Sequence, residues 1–432
     1  MGVDFSSLLF MVDQFDWAAW LSMFWFMILL EVPRYSLSAV AIFAYSFKRK
    51  REITSAERHY LDSLRVSIVV AGHNEADAMT KCLRSLSEQT RRIDEIIVVD
   101  DGSTDGMRDI INELRRQDKI TMALANQVRS GKPSSCNLAF PLATGDIIIN
   151  LDADCSYDRD AIEKLIETFV DPKVGAATGS IGVRNFDAST VTAYQAIEYI
   201  VSIAMGKRVL DMLDMVVCAS GAFGAFRRSA VDQIGLMAPG PGEDFDMTLR
   251  LRRAGWTIRF AEEAWCFTDT PATLAAFVRQ RRRWDRDTIR TRLRKFRDVF
   301  SPVRKQFSLF ETFEQCEWLV MNALVTLIFP FYIGWMFFMY GAGAWYFIGI
   351  VALVYLVMDA VSFLMALKVC GRYDSRIVLT IAPYVLTFGL FNGVFMRMVR
   401  FYAYYEEWIH RASFHDTYSP TRVTRQALTP RG

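Results

Sequence analysis

The apolar residues of this chain are distributed unevenly, and that limits what it can fold into. WAAWLSMFWFMILLEVPRYSLSAVAIFAYS, residues 17–46, is interrupted only by Glu31 and Arg34. It exceeds the roughly 20 residues needed to span a bilayer. Three further apolar runs lie near 317–340, 344–367 and 377–396, while residues 65–300 alternate short apolar runs with amphipathic ones. A soluble piece joined to membrane pieces accounts for a hydrophobic content of 52% and an aromatic content of 13%. The charges nearly cancel, 50 basic against 48 acidic, so no global field points to nucleic acid.

The basic cluster KRKRE, 48–52, follows the first run at once. The segment before that run carries Asp4, Asp13 and Asp16 and no lysine or arginine. Positive-inside logic places the N-terminus outside and the next domain in the cytoplasm. A cleaved signal peptide does not fit, because the basic cluster lies on the wrong side of the apolar run. Glu31 and Arg34 are three apart on one helix face, as a structural ion pair or an inward-facing pore contact would require. The link GAGA carries no charge, and the next link carries Lys368, Arg372 and Arg376. Counting three spans leaves the C-terminus outside. Arg397, Arg400, Arg411, Arg422 and Arg425 favour the inside, and a final helix lying in the interface is the alternative. The expected units are a membrane segment at 1–47, a soluble domain at 48–270, amphipathic interface helices at 271–316, transmembrane helices at 317–400 and a tail at 401–432.

Seven cysteines are scattered with no CxxC pair, and four histidines are equally dispersed. This argues against a zinc site or a disulfide framework and for reduced thiols.

In the soluble domain, RVSIVVAG (65–72), EIIVVDDGS (95–103) and DIIINLDADC (146–155) read as buried strands. ADAMTKCLRSLSEQ (76–89) and TDGMRDIINELRRQ (104–117), the latter capped by Ser103 or Thr104, read as helices. Strand, helix, strand with buried parallel strands implies an α/β sheet. Ligands of such sheets bind beyond the carboxyl ends of the strands, where both acidic clusters sit.

The first cluster is Asp100-Asp101-Gly102-Ser103, whose carboxylates can accept from a ribose hydroxyl or a base N–H. The second is Asp152-Ala153-Asp154. Two carboxylates two residues apart after a strand suit Mg²⁺ or Mn²⁺, which keeps waters and bridges substrate phosphates. An isolated DxD is more often a helix-capping acid; a DDGS followed about 50 residues later by a DxD on a matching strand is a stronger signal. Between them RSGKPSSCNLA offers Arg129, Lys132 and Asn137, either as a solvated loop or as cations facing nucleotide phosphates. CASGAFGAFRR, 218–228, is glycine-rich and permits close backbone approach. GPGEDFDMTLRLRRAGW places Glu243 and Asp244 at a helix start, where acids cap favourably or one serves as a general base. In VRQRRRWDRD, Gln280, Arg283 and Trp284 fall at i, i+3 and i+4 and share a helix face with Phe277. Arg281 and Arg282 are expected on the other side, toward water or lipid headgroups.

VVAGHNE, DDGSTDG, RSGK, LDADC, SGAFGAFRR, GEDFD and QRRRW, in this order and flanked by membrane helices, resemble the family 2 membrane glycosyltransferases. The resemblance is to the processive synthases of cellulose, hyaluronan, chitin oligosaccharide and poly-N-acetylglucosamine. It covers residues 60–300 well. It implies a cytosolic GT-A nucleotide-sugar domain inserted between transmembrane helices, in a multi-pass protein of the cell inner (plasma) membrane. It implies an inverting transferase that polymerises a UDP-sugar, UDP-N-acetylglucosamine first and UDP-glucose second, into a β-linked polysaccharide that it extrudes. The alternative is a non-processive transferase adding one sugar to a lipid-linked acceptor. A transporter or scaffold with a degenerate domain is disfavoured by the complete set of acids.

By the same resemblance, Glu75, Asp101, Lys132, Asp152 and Gln280 would bind the donor, and Asp152 and Asp154 the Mg²⁺ or Mn²⁺. Asp244 would be the general base, and Arg283 would face the diphosphate as both donor-binding and catalytic. Trp284 would stack under the acceptor sugar, with Gly221 beside it; an indole suits a pyranose because both are flat and partly apolar. The implied partners are the UDP-sugar, the growing polysaccharide, the bilayer and accessory export proteins, with no nucleic acid. The chain departs from the family pattern at Ala71 and His73, where a proline and an aromatic usually precede Asn-Glu. No long C-terminal regulatory domain is expected, and hence no activation by a cyclic dinucleotide.

Overall fold

The computed structural model describes residues 17–47, 52–301, 309–370 and 373–415. The basic residues 48–51, Asp4, Asp13, Asp16, Arg372, Arg422 and Arg425 lie outside the described residues. The strands are β1 (Val66–Gly72), β2 (Glu95–Asp100), β3 (Met122–Ala125), β4 (Ile147–Asp152), β5 (Ser156–Tyr157), β6 (Val174–Val183), β7 (Phe223–Arg227) and β8 (Thr257–Thr268). The helices that matter most for the site are α1 (Ala76–Ser87), α2 (Met107–Arg116), α3 (Lys132–Ala139), α4 (Thr190–Glu198), α5 (Glu243–Arg253) and α6 (Leu274–Arg290).

All eight strands form one sheet in the order β3-β2-β1-β4-β7-β6-β8-β5. β3, β2, β1 and β4 are parallel, as the unbroken apolar sequences of β1, β2 and β4 predict; the half-buried edge strand β3 is an addition. β7 runs antiparallel to both β4 and β6, so the sheet is mixed rather than wholly parallel. Successive side chains leave a strand on opposite faces. Val66, Ile68 and Val70 therefore join one core, and Val69 and Ala71 join the other. α1 buries Met79, Cys82, Leu83 and Leu86 on a single stripe, and each large side chain so buried contributes about 1.5–3 kcal/mol. α2 starts later than the sequence suggests. Gly106 is its N-cap, and the Asp105 side chain accepts from the Met107 N–H at 3.1 Å. Ser103 and Thr104 instead bond to Asn74, tying the loops after β1 and β2 together.

Among the described residues, three helical stretches are long and apolar enough to cross a membrane: Met23–Tyr45, Leu309–Val369 and Ser375–His410. The second turns at Gly341, whose φ of +54° a glycine adopts readily. It supplies both runs read at 317–340 and 344–367. Pro33 removes an N–H from the first helix, and the ladder adjusts with a π-helical turn at Met27–Glu31 just before it.

Glu31 and Arg34 do not pair with each other. Glu31 bonds to buried Arg397, and Arg34 to Glu317 at 2.8 Å. Tyr35 donates to Asp359 Oδ1 at 3.1 Å. In an apolar surrounding a charge left alone is costly, so each finds its partner on another helix. The first helix reaches the sheet domain at Tyr45, which donates to Glu262 at 2.5 Å. Glu262 holds Arg208 at 2.9 Å, and Arg208 donates to the Val369 carbonyl at 2.6 Å.

The last apolar helix contacts the sheet domain at both ends. Arg376 meets Asp187 at 3.2 Å, Tyr194 stacks on Phe391 at 4.3 Å, and Glu406 and Glu407 bind Arg282 and Arg294. It lies along that domain instead of leading away from it.

Arg397→Met is expected to leave Glu31 buried without its partner and to cost about 3–5 kcal/mol. Melting of the purified protein in detergent should show a clear fall, largely reversed in Glu31→Gln/Arg397→Met. A single variant as stable as the parent would contradict the pairing.

Candidate active site

The cleft forms where β1, β2 and β4 end side by side. Register places Gly72 opposite Asp100, and Ala71 opposite Asp152. Asp100 is buried, accepts from the Ser103 N–H at 2.9 Å and pairs with Arg108 at 3.2 Å. Asp101 is also buried. Its Oδ1 accepts from Ser130 N–H at 2.7 Å and Asn126 Nδ2 at 2.9 Å, and its Oδ2 from Gly131 N–H at 2.7 Å. Both oxygens thus hold the 126–131 loop that leads into α3. Gly102, at φ +70°, lets that loop close: a Cβ there would lie 2.6 Å from the Arg129 nitrogen. His73 Nδ1 lies 3.0 Å from the Asp101 carbonyl.

The anchored loop delivers Lys132 at the first position of α3. Its ammonium bonds to Asp152 Oδ1 and, at 2.9 Å, to the Gly221 carbonyl. Burial alone would lower the Lys132 pKa, but the charges of Asp152 and Glu243 outweigh it and raise it well above the usual value. Asp154 is raised by burial and by the neighbouring Asp152. Glu75 is pushed up to about 8, by burial first and then by Asp154 and Asp152. Glu75 thus stands within electrostatic reach of both acids of the DxD.

Gly221 joins the two halves of the cleft. Its carbonyl takes Lys132, and its N–H donates to Asp244 Oδ2 at 3.1 Å. The other Asp244 oxygen accepts from the Phe245 N–H at 2.7 Å. The Asp244 backbone carbonyl accepts from Thr248 Oγ1, which in turn receives the Ala219 N–H. Asp244 is thus fixed at the start of α5 against the 218–221 turn. Beside it Glu243 is pushed up to about 7, by burial first and then by the Asp244 charge.

α6 is fastened next to this loop. Arg290 donates to the Pro241 carbonyl, Lys295 to Asp246, and the Arg292 guanidinium lies 4.9 Å from the Phe245 ring. Gln280 and Arg283 are half-buried, and Gln280 Oε1 is enclosed without a hydrogen-bond partner. Trp284 is 37% exposed. Arg281 and Arg282 are not free charges on an outer face. Arg281 is 8% exposed and bound to Glu198, and Arg282 is bound to Glu406. At about 100° per residue, Arg281 stands only about 60° from Trp284 around the helix. The helical wheel carried that signal, whereas nothing in the sequence marks Glu198 as its partner.

Five carboxylates, Glu75, Asp152, Asp154, Glu243 and Asp244, surround the Lys132 ammonium, and the buried Lys207 ammonium stands near Asp244. A diphosphate entering this field needs a divalent cation to offset it. Hard oxygens on Asp152 and Asp154 fit such an ion. Among the described residues no three His, Cys, Asp or Glu side chains form a metal-ligand cluster.

Residues 67–235 match the family model described as glycosyl transferase family 2. The chain is 30% identical over 295 residues to "Poly-beta-1,6-N-acetyl-D-glucosamine synthase" of Staphylococcus aureus (strain MSSA476), covering 67% of this chain and 68% of that one. It is 29% identical over 248 residues to the protein of that name from Staphylococcus epidermidis, covering 57% and 59%. Among solved structures it resembles mannosyltransferase PcManGT from Pyrobaculum calidifontis, determined with GDP-Man and Mn²⁺. That match has a TM-score of 0.53 at 16% identity and covers 87% of this chain and 99% of that one; it indicates a shared fold.

Glu243 holds its proton more tightly in the folded protein, near 7 against an ordinary value of 4.5. The folded state then binds more protons between those values, so stability falls as pH rises through the window. Glu243→Gln is expected to flatten that fall. Metal-free melting at pH 5 and pH 8 checks it: an equal drop in variant and parent would refute the assignment.

Proposed function

The chain belongs to glycosyl transferase family 2 and is a membrane-bound hexosyltransferase, and from that premise we propose that it polymerises N-acetylglucosamine from UDP-N-acetylglucosamine into a β-linked polysaccharide. The donor and product follow the relatives' name. The observation that carries the reading is the position of Gly221 between Lys132–Asp152 on one side and Asp244 on the other. Donor phosphates and acceptor hydroxyl would meet across this one residue.

Lys132 and Arg283 bind the diphosphate and stabilise the charge that develops as UDP leaves. Asp152 and Asp154 would hold Mg²⁺ or Mn²⁺, which supplies further charge neutralisation at the leaving group. Asp244 takes the proton of the acceptor hydroxyl while that oxygen bonds to C1 of the sugar from the face opposite UDP, inverting it. Two backbone N–H groups hold the Asp244 carboxylate in a fixed orientation. Asp101 acts on the donor through the loop it holds. Gln280 offers its enclosed oxygen to the donor, and Trp284 offers its exposed indole to the acceptor sugar.

Purified protein in membranes is expected to turn radiolabelled UDP-N-acetylglucosamine into a size ladder, and excess EDTA to stop it. Asp244→Asn should lower transfer by about 10²–10⁴-fold while UDP still binds. A single-sugar product would replace polymerisation with transfer to a lipid-linked acceptor. Full activity in EDTA would remove the metal from the scheme.

The catalytic domain is assigned to the cytosol of the inner membrane, with the last helix along the interface and the C-terminus on the same side. Support comes from the basic residues after the first span and from the contacts at both ends of the last helix. Cysteines introduced at Arg92 and Arg411 should both be labelled from the cytosolic face of inverted vesicles. Labelling of the two from opposite faces would mean that the last helix crosses.

A further inference from the structure

Trp284 presents an exposed indole, but its surroundings are not uniformly open. The Arg281 guanidinium carbon lies 4.5 Å from the Trp284 ring centroid, over the ring. The same guanidinium is 5.2 Å from the Phe277 ring. It is gripped by Glu198 of α4 through two parallel bonds, Nη1 to Oε1 at 2.9 Å and Nη2 to Oε2 at 2.7 Å.

We propose that Glu198 and Arg281 are a positioning pair for Trp284, holding its indole at the angle at which an acceptor sugar can stack. This deepens the reading of Trp284 as the acceptor platform and rests on it. An indole on a helix surface can swing about its side-chain torsions, and a swung ring offers a sugar an edge in place of a face. A planar guanidinium stacked on the ring selects one angle. The guanidinium is itself fixed, because a carboxylate that binds both its terminal nitrogens sets its plane as well as its position. Lysine would keep the charge but lose both the plane and the fork. Glu198 ends α4, whose earlier residue Tyr194 stacks on Phe391 of the last apolar helix. The orientation of the indole is thereby referred to the helix layer along which the product would leave. Asp285, beside Trp284, faces Arg400 at 3.8 Å and lies within electrostatic reach of Arg281 and Glu198.

The pair touches neither donor nor reacting atoms, so its loss should divide two activities that a folding defect would lower together. UDP release is measured from the full-length protein in detergent, with UDP-N-acetylglucosamine alone and with an N-acetylglucosamine oligomer added. Arg281→Lys is expected to lower oligomer-dependent turnover about ten- to a hundredfold, the usual consequence of a misplaced reactant, while release to water stays near the parent level. In a Trp284→Ala background, adding Arg281→Lys should cost nothing further, because the group it positions is gone. If Arg281→Lys does not yield folded protein, Glu198→Gln takes its place in both comparisons. Undiminished elongation in the single variant, an equal fall in both activities, or a full additional loss in the Trp284→Ala background would each overturn the positioning pair. Undiminished elongation in Trp284→Ala itself would overturn the acceptor platform and the pair with it.

Discussion

The rest of this structure depends on how one arginine-rich helix is neutralised. α6 and the turn after it bring Arg281, Arg282, Arg292 and Arg294 into partly or fully buried positions. A guanidinium moved out of water without a partner is strongly unfavourable. Each of the four meets a carboxylate, and the carboxylates come from different parts of the chain: Glu198, Glu406, Glu314 and Glu407. Satisfying the helix therefore fixes the catalytic sheet, the helix at Leu309–Trp318 and the last apolar helix relative to one another.

Electrostatics of the opposite sign govern the cleft. Carboxylates outnumber the lysines Lys132 and Lys207, and burial pushes Glu75, Asp154 and Glu243 toward their neutral forms. Such a site gains most from a ligand that carries cationic charge with it, as a nucleotide diphosphate bound with a divalent ion does. The backbone provides the other half of the design. Asp101 spends its oxygens on the loop that presents Lys132, and Gly221 offers a carbonyl one way and an N–H the other. A side chain at Gly221 would press on Lys132, whose ammonium would lie 3.1 Å from the new Cβ.

The membrane-side helices follow the same rule with less water to help. Glu31, Arg34, Tyr35 and Asp359 are polar groups in apolar helices, and each is answered by a residue on a different helix. These pairs select one packing of helices that hydrophobicity alone would leave interchangeable, since lipid and leucine are nearly equivalent neighbours.

Much was legible from the sequence, because it depends on local order. Uninterrupted Val and Ile runs could only be strands covered on both faces, and Asp100, Asp101 and Asp152 had to sit at or just beyond the ends of theirs. The glycine before Glu243 started a helix where expected, and the apolar runs were long enough to need a membrane. What was not legible depends on partners far apart in the chain. Glu31 finds Arg397 across 366 positions, and Arg281 finds Glu198 across 83. Local spacing instead paired Glu31 with Arg34 and sent Arg281 to solvent. The mixed sheet and the return of the last helix to the catalytic domain were hidden for the same reason. Periodicity states which face of an element is apolar, but only tertiary packing decides which buried charge meets which, because that choice is made by the cost of leaving any one of them unpaired.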